Sequence, residues 1–295
     1  MPRADDGYFP RGRSPLRRVQ GERAVGLVYG QRSLMLGALQ PLAYAGTLLH
    51  TRHRESPFRR LVQTARVFEA VFFGSRDEAD RALAAVGRMH DRVEGELPER
   101  VGPHPAGTAY SAYRPELMLE GVVAPMFDSA RVLYEDFVRP LSSAERDELW
   151  RDYVRFGGLF GMPASAAPAD YEEFAAFWRE WVASDQRFLS EEARAAGYET
   201  GFAIPVPRAN QPSMKVFEFM LLGSLPQRVR ELYRLGWGPR RQAVYESLAL
   251  ASRQGRPLVP RFLRRGSCEY FFGVVARAER SRLARGEQTT MFTAH

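Results

Sequence analysis

Cysteine is almost missing. Cys268 is the only one, so no internal disulfide can form and no cysteine-rich metal site can be built. Such usage fits a reducing compartment, and a cytoplasmic location is expected. Lysine is as scarce: Lys215 stands alone, leaving one candidate for a Schiff base or an amine ligand. Arginine therefore carries nearly all the basic charge, a formal net of +7 over 295 residues. Long hydrophobic runs are missing too. The longest uncharged stretch, Ser33 to His50, is interrupted by Gln40 and Pro41. It falls short of the roughly 20 apolar residues of a membrane span, so no span is expected. The opening MPRADDGYFPRGRSPLRR lacks the apolar core of a signal peptide.

Several chemistries lose their footing the same way. There is no phosphate loop, no GxGxxG after a strand, no HExxH and no Gly-x-Ser-x-Gly elbow. Histidines number five, His50, His53, His90, His104 and His295. His50 and His53 have a spacing that suits a metal pair, but they flank a helix end, where capping or surface roles are the plainer reading. The arginines of the last third, from Arg240 to Arg285, are mixed with Glu246, Glu269 and Glu279. They read as solvated helix faces, with one or two free to bind a carboxylate, rather than as a nucleic-acid interface.

What is present is helical periodicity and a hydrophobic content of 45%. Residues 1–18 read as a flexible arm, 19–285 as one helical domain, and 286–295 as a mobile tail. From Ser33 the chain is apolar on nearly all sides, which predicts a buried central helix kinked or divided at Pro41. Ser56-Pro57 starts the next helix, with Leu61, Ala65, Phe68 and Phe72 facing the core. Ser75 caps a further helix with Asp77 and Glu78 in its first turn, and Ala79, Leu83, Val86, His90 and Val93 share one stripe. Gly95 to Gly107 reads as a loop, and Pro115 opens a helix to about Val138 with Pro125 in its interior. Ser142 and Glu145 match a capping box. Tyr171, Phe174, Phe177, Trp178 and Trp181 form an aromatic stripe more suited to packing than to a substrate shelf. Residues 198–213 read as irregular, and the last helix spans about Glu269 to Ala284. Strand signals are few. The fold class expected is all-α, a single domain enclosing an apolar cofactor or substrate pocket between the helices of His90 and Pro125.

The order of short motifs carries a resemblance. Gly21-Glu22-Arg23 precedes Ala45-Gly46-Thr47-Leu48-Leu49-His50, then Pro57-Phe58-Arg59-Arg60-Leu61 with Thr64, then Phe73-Gly74-Ser75. Val86-Gly87-Arg88-Met89-His90 precedes Val93-Glu94-Gly95, followed by Tyr110-Ser111-Ala112 and Pro115-Glu116-Leu117. Leu225-Pro226, Gly236-Trp237 and Pro257-Leu258-Val259-Pro260 close the series. Over roughly residues 20–265 the chain resembles the mycophenolic-acid-B-type (MpaB) oxygenase family, distant relatives of bacterial latex-clearing proteins. The resemblance implies an all-helical fold holding haem b in an apolar pocket. It also implies oxidation of a hydrophobic, often isoprenoid-like, small molecule in specialised metabolism, with an external electron donor as a candidate partner.

Carried over by residue, His90 is the implied axial ligand and metal residue, with Arg60, Thr64, Arg88 and His50 around the cofactor. Arg60 and Arg88 suit propionates, since guanidinium binds carboxylate in bidentate fashion. Two positions depart from the family. Gln40-Pro41 stands where His-Pro is frequent, and Glu120-Gly121-Val122 stands where Trp-Val-His is frequent. The expected ligand histidine is thus Val122, and no lysine is near His90 to replace it. A second reading keeps the fold without haem: the pocket performs acid–base cyclisation, isomerisation or dehydration, with His90, Tyr110 and Glu120 as catalytic groups; burial of Glu120 would raise its pKa and suit it as a proton donor, although exposure is the plainer reading. A third is a non-catalytic carrier of an apolar ligand.

Overall fold

The computed structural model describes residues 6–50 and 57–287. The expected N-caps Ser75 and Ser142 are both in place, each closing a capping box with Glu78 or Glu145. They open α6 (Arg76–His90) and α9 (Ser143–Leu159). Before them run α1 (Pro15–Gln20), α2 (Arg23–Gly26), α3 (Tyr29–Gly37), α4 (Pro41–His50), α5 (Pro57–Phe73), and, after α6, α7 (Pro115–Met118) and α8 (Ala124–Phe137). After α9 come α10 (Tyr171–Ala183), α11 (Glu191–Phe202), α12 (Gln211–Ser224), α13 (Gln227–Leu232), α14 (Pro239–Gly255), α15 (Arg261–Arg264) and α16 (Glu269–Ala284). The fold is predominantly helical, as the periodicity predicts. Ser56 and His53 lie outside the described residues, while Pro57 does take the first position of α5.

Helix α8 lies at the centre. Phe127 is fully buried and meets Trp150, Tyr153 and Phe174 edge-on, at ring separations of 5.0, 5.7 and 4.6 Å. Aromatic edges against faces at such distances add to the burial of large apolar area. Phe174, Trp178 and Trp181 of α10 belong to this core, as the aromatic stripe predicts.

Charge is buried at the same centre. Arg32 of α3 donates from Nη1 to Asp128 Oδ2 at 2.8 Å and to Ser129 Oγ at 3.0 Å. Its Nε and Nη2 donate to Ser224 O at the end of α12, at 3.2 and 2.9 Å. Asp128 Oδ1 accepts from Arg131 Nη2 at 2.8 Å. Both partners of the Arg32–Asp128 pair are almost completely buried. Burial alone pushes Asp128 up, but the charges and hydrogen bonds of Arg32 and Arg131 hold it below the usual aspartate value.

Several expectations change. Residues 6–18 are not a loose arm: Phe9 and Leu16 are fully buried, and Ser14 both caps α1 and donates to Asp152 Oδ2 at 2.7 Å. The uncharged run at Ser33–His50 is divided at Ala38–Gln40 into α3 and α4. It is not apolar-buried all round, for Leu34 and Leu49 are exposed. Within Gly95–Gly107 the chain begins a hairpin, β1 (Glu94–Glu96) antiparallel to β2 (Ala109–Ser111). Residues 198–202 continue α11 rather than forming irregular chain. Of the tail, Gly286 and Glu287 are described, and Glu287 accepts from Arg285 Nε at 2.7 Å.

Removing one member of a buried pair leaves an uncompensated charge, so Asp128→Ala is expected to cost about 3–5 kcal/mol of unfolding free energy, read as a lowered denaturant midpoint. The pH dependence follows from the depressed native pKa. The contribution is fully present above the unfolded aspartate value of 3.8 and is lost as pH falls below it through the native value. Acid titration of wild type and Asp128→Ala should therefore converge at low pH.

Candidate functional site

Helix α5 turns two polar residues, Arg60 and Thr64, to one side at i, i+4 spacing. Both side chains are solvent-accessible. Yet desolvation lowers the Arg60 pKa, with nearby Tyr44 of α4 opposing. Tyr44 is pushed up, first by burial, with the charge of Arg60 acting against it. His90, the last residue of α6, is half-buried. Its pKa is lowered first by desolvation and then by Arg60, against a smaller opposing effect of Asp91. The imidazole is therefore neutral at pH 7. Tyr44, Arg60 and His90 thus share one electrostatic neighbourhood formed by α4, α5 and α6.

The remaining expected residues divide into separate places. Tyr110 of β2 is buried, with its hydroxyl 3.1 Å from His50 Nε2 in a shared hydrogen bond. Burial raises its pKa. The ring is seated against Gly46, where a Cβ would lie 3.2 Å from Cδ2, and against Gly95, whose φ of +159° and 2.9 Å approach to the hydroxyl leave no room for a side chain. Arg88 is exposed, and two residues from His90 it lies on a different face of α6. Helix α6 packs along α5. His90 meets the approach to α7 through Tyr113, ring to ring at 6.2 Å. The His50–His53 metal pair lies partly outside the described residues; among those described, no group of three or more His, Cys, Asp or Glu is placed to hold a metal ion.

The segment that departs from the family pattern is a π-helical turn, Leu119–Val123, in which Ala124 N–H donates to Leu119 O five residues back. Single π turns gather at functional sites. Pro125 has no N–H for the carbonyl of Gly121 four residues earlier. That carbonyl faces α3 instead: a Cβ at Gly37 would lie 2.2 Å from Gly121 O. Val122 points outward and is 43% exposed.

Glu120 is neither fully exposed nor a lone buried acid, but part-buried and paired. Its Oε2 accepts from Gln40 Nε2 at 2.5 Å and from Arg187 Nη1 at 3.1 Å. Arg187 in turn lies over the Trp181 ring at 4.7 Å. Sequence reasoning missed Arg187, and the signal was faint: one arginine in the loop after the aromatic helix. A cleft of about 650 Å³ opens between α11, α12 and α16, lined in part by Ile204, Met214, Arg208 and Arg282. None of the expected site residues lines it.

The chain is predominantly helical, and His90 and Arg60 lie close enough to influence each other's charge. Residues 17–254 match the family described as ER-bound oxygenase mpaB/B'/Rubber oxygenase, catalytic domain. The chain belongs to this family, and is thus an oxygenase-type oxidoreductase acting on a hydrophobic small molecule. Comparisons with curated proteins and with solved structures returned no match. Among the described residues no helix is long and apolar enough to cross a membrane.

The Glu120 contacts predict a graded response. Glu120→Ala removes the acceptor of two part-buried donors and should cost about 1–3 kcal/mol in denaturant unfolding. Glu120→Gln keeps an acceptor for Gln40 or Arg187 and should cost less. Equal losses would refute the acceptor role.

Proposed function

We propose that the recess bordered by Tyr44, Arg60, Thr64 and His90 holds haem b, with His90 as its single protein ligand. The observation that carries this reading is the state of His90: half-buried and kept neutral by desolvation and by Arg60. A neutral imidazole is the ligating form. Membership of an oxygenase family supports a haem cofactor in general. The residues present fit a group held by one imidazole and a carboxylate-binding arginine, with Arg60 placed to meet a propionate. They do not fit a second histidine from the π turn, where Val122 is aliphatic.

Haem, when bound, supplies the oxygen chemistry. The chain's own residues do the rest. His90 fixes the cofactor at the end of α6. Arg60 orients it by charge, and Thr64, one turn on, offers a hydroxyl to the same recess. We infer a cytoplasmic setting, which the single cysteine suits, and an external electron donor.

The haem-free acid–base reading is weaker because its groups are dispersed. Glu120 is tied to Gln40 and Arg187. Tyr110 is tied to His50, and His90 stands beside Arg60 and Tyr113.

Purified protein expressed with ample haem precursor is expected to show a Soret band and about one haem per chain in a pyridine haemochrome assay. His90→Ala should lose the band while keeping its helical circular dichroism, and Val122→Ala should keep both. A folded protein that stays colourless after haem is added would sink the proposal.

A further inference from the structure

The largest exposed apolar side chains cluster in a segment the oxygenase reading does not use. Leu258 is 87% exposed, Phe262 71% and Leu263 52%, with Val259 between them. Tyr270, at the start of α16, is 80% exposed. The segment begins just after the family match ends at residue 254. Scattered single exposures are ordinary, but four large apolar groups within six residues are not.

The segment is held out deliberately by polar contacts at its base. Glu22, almost fully buried, accepts from Arg256 Nη2 at 2.6 Å and from Arg265 Nε. Glu22 and Arg265 form an antiparallel bridge, and Gly266 N–H donates to Gly21 O at 3.0 Å. Arg23 Nη1 donates to Leu263 O at 3.2 Å. Both ends of the segment are therefore pinned to the start of α2, while the apolar side chains between them point away from the core.

Charge selects the occupant. Residues 256–265 carry four arginines and no carboxylate, and Glu22 beneath offsets only one. The neighbouring Glu269 is already paired with Arg66 at 2.8 Å. A two-fold contact with a second copy would set this basic patch against itself, which is repulsive. Apolar anchors beside Arg261 and Arg264, the two arginines not bonded to Glu22, are instead complementary to an anionic lipid surface, where the anchors enter the acyl boundary and guanidinium groups meet phosphates. We propose that residues 256–265, with Tyr270, form a docking surface for an anionic membrane. The site is independent of what the recess beside His90 holds. It would let a protein without a membrane-crossing helix among its described residues meet lipid-dissolved substrates at their source.

The test is flotation of the full chain with vesicles of phosphatidylcholine alone and of an equal mixture with phosphatidylglycerol. Binding is expected to the mixed vesicles only, weakening as salt rises. The double variant Leu258→Asp with Phe262→Asp alters only exposed positions and should keep wild-type circular dichroism while losing affinity by more than about tenfold. Arg261→Gln should weaken binding and flatten its salt dependence. The proposal is overturned if wild-type protein ignores mixed vesicles, or if the double variant binds as tightly as wild type. It is equally overturned if light scattering finds a dimer that the double variant dissolves, with no vesicle binding; the occupant would then be a second copy.

Discussion

The fold depends on one buried arginine. Arg32 reaches across from α3 to Asp128 and Ser129 on the central helix and to the last carbonyl-bearing turn of α12. Dehydrating a guanidinium and a carboxylate is costly, and the pair persists because each nitrogen used finds an acceptor and Asp128 finds a second cation in Arg131. The demand is directional. An apolar core alone tolerates rotation of α8 about its axis, whereas a bidentate clamp on Ser224 and a charge-assisted bond to Asp128 do not. Fixing α8 in this way also fixes the π turn that leads into it.

That turn explains why the two departures from the family pattern belong together. Gln40 and Glu120, the two positions at which the resemblance leads one to expect other residues, lie far apart in sequence, yet their side chains are hydrogen-bonded to each other. Placing a carboxylate there requires a cation, and Arg187 arrives from the loop after α10. The glycines are part of the same arrangement. Gly37 admits the Gly121 carbonyl at a distance no Cβ permits, and a Cβ on Gly121 would lie 2.8 Å from that of Ala43. The helices α3 and α4 and the π turn therefore close on one another through backbone and small side chains, and the resulting polar knot is structural.

Much of this was legible beforehand. The N-cap at Ser75, the capping box at Ser142, the start of α5 at Pro57 and the bounds of α16 follow from local rules that tertiary contacts leave alone. The burial within residues 6–18 was not. Residues 6–18 have the composition of a loose arm, but Phe9 and Leu16 find places in the core that only the folded chain provides. Arg32 and Asp128 escaped notice because burial of a charge is decided by long-range pairing, although an aspartate following Met126-Phe127 in an apolar helix was a usable sign. At the site, the motif order pointed to Arg60 and His90, which the structure brings together. It also pointed to Arg88, which faces solvent, and to Tyr110 and His50, which pair with each other. Spacing along a helix orders residues by face, but it does not say which faces of different helices will meet.

The burden on His90 follows from this division. The π turn offers no imidazole, since Val122 stands in it and is turned outward. The histidine that remains is the one whose surroundings favour lone-pair donation: dehydration and a nearby guanidinium both disfavour its protonated form. The same Arg60 that keeps His90 neutral is a fixed positive charge for an anionic group of a ligand. A cation next to a ligating imidazole would be unfavourable for a bare metal ion, but it suits a cofactor that brings carboxylates of its own. The influence of Arg60 on His90 is thus what the proposed haem site rests on.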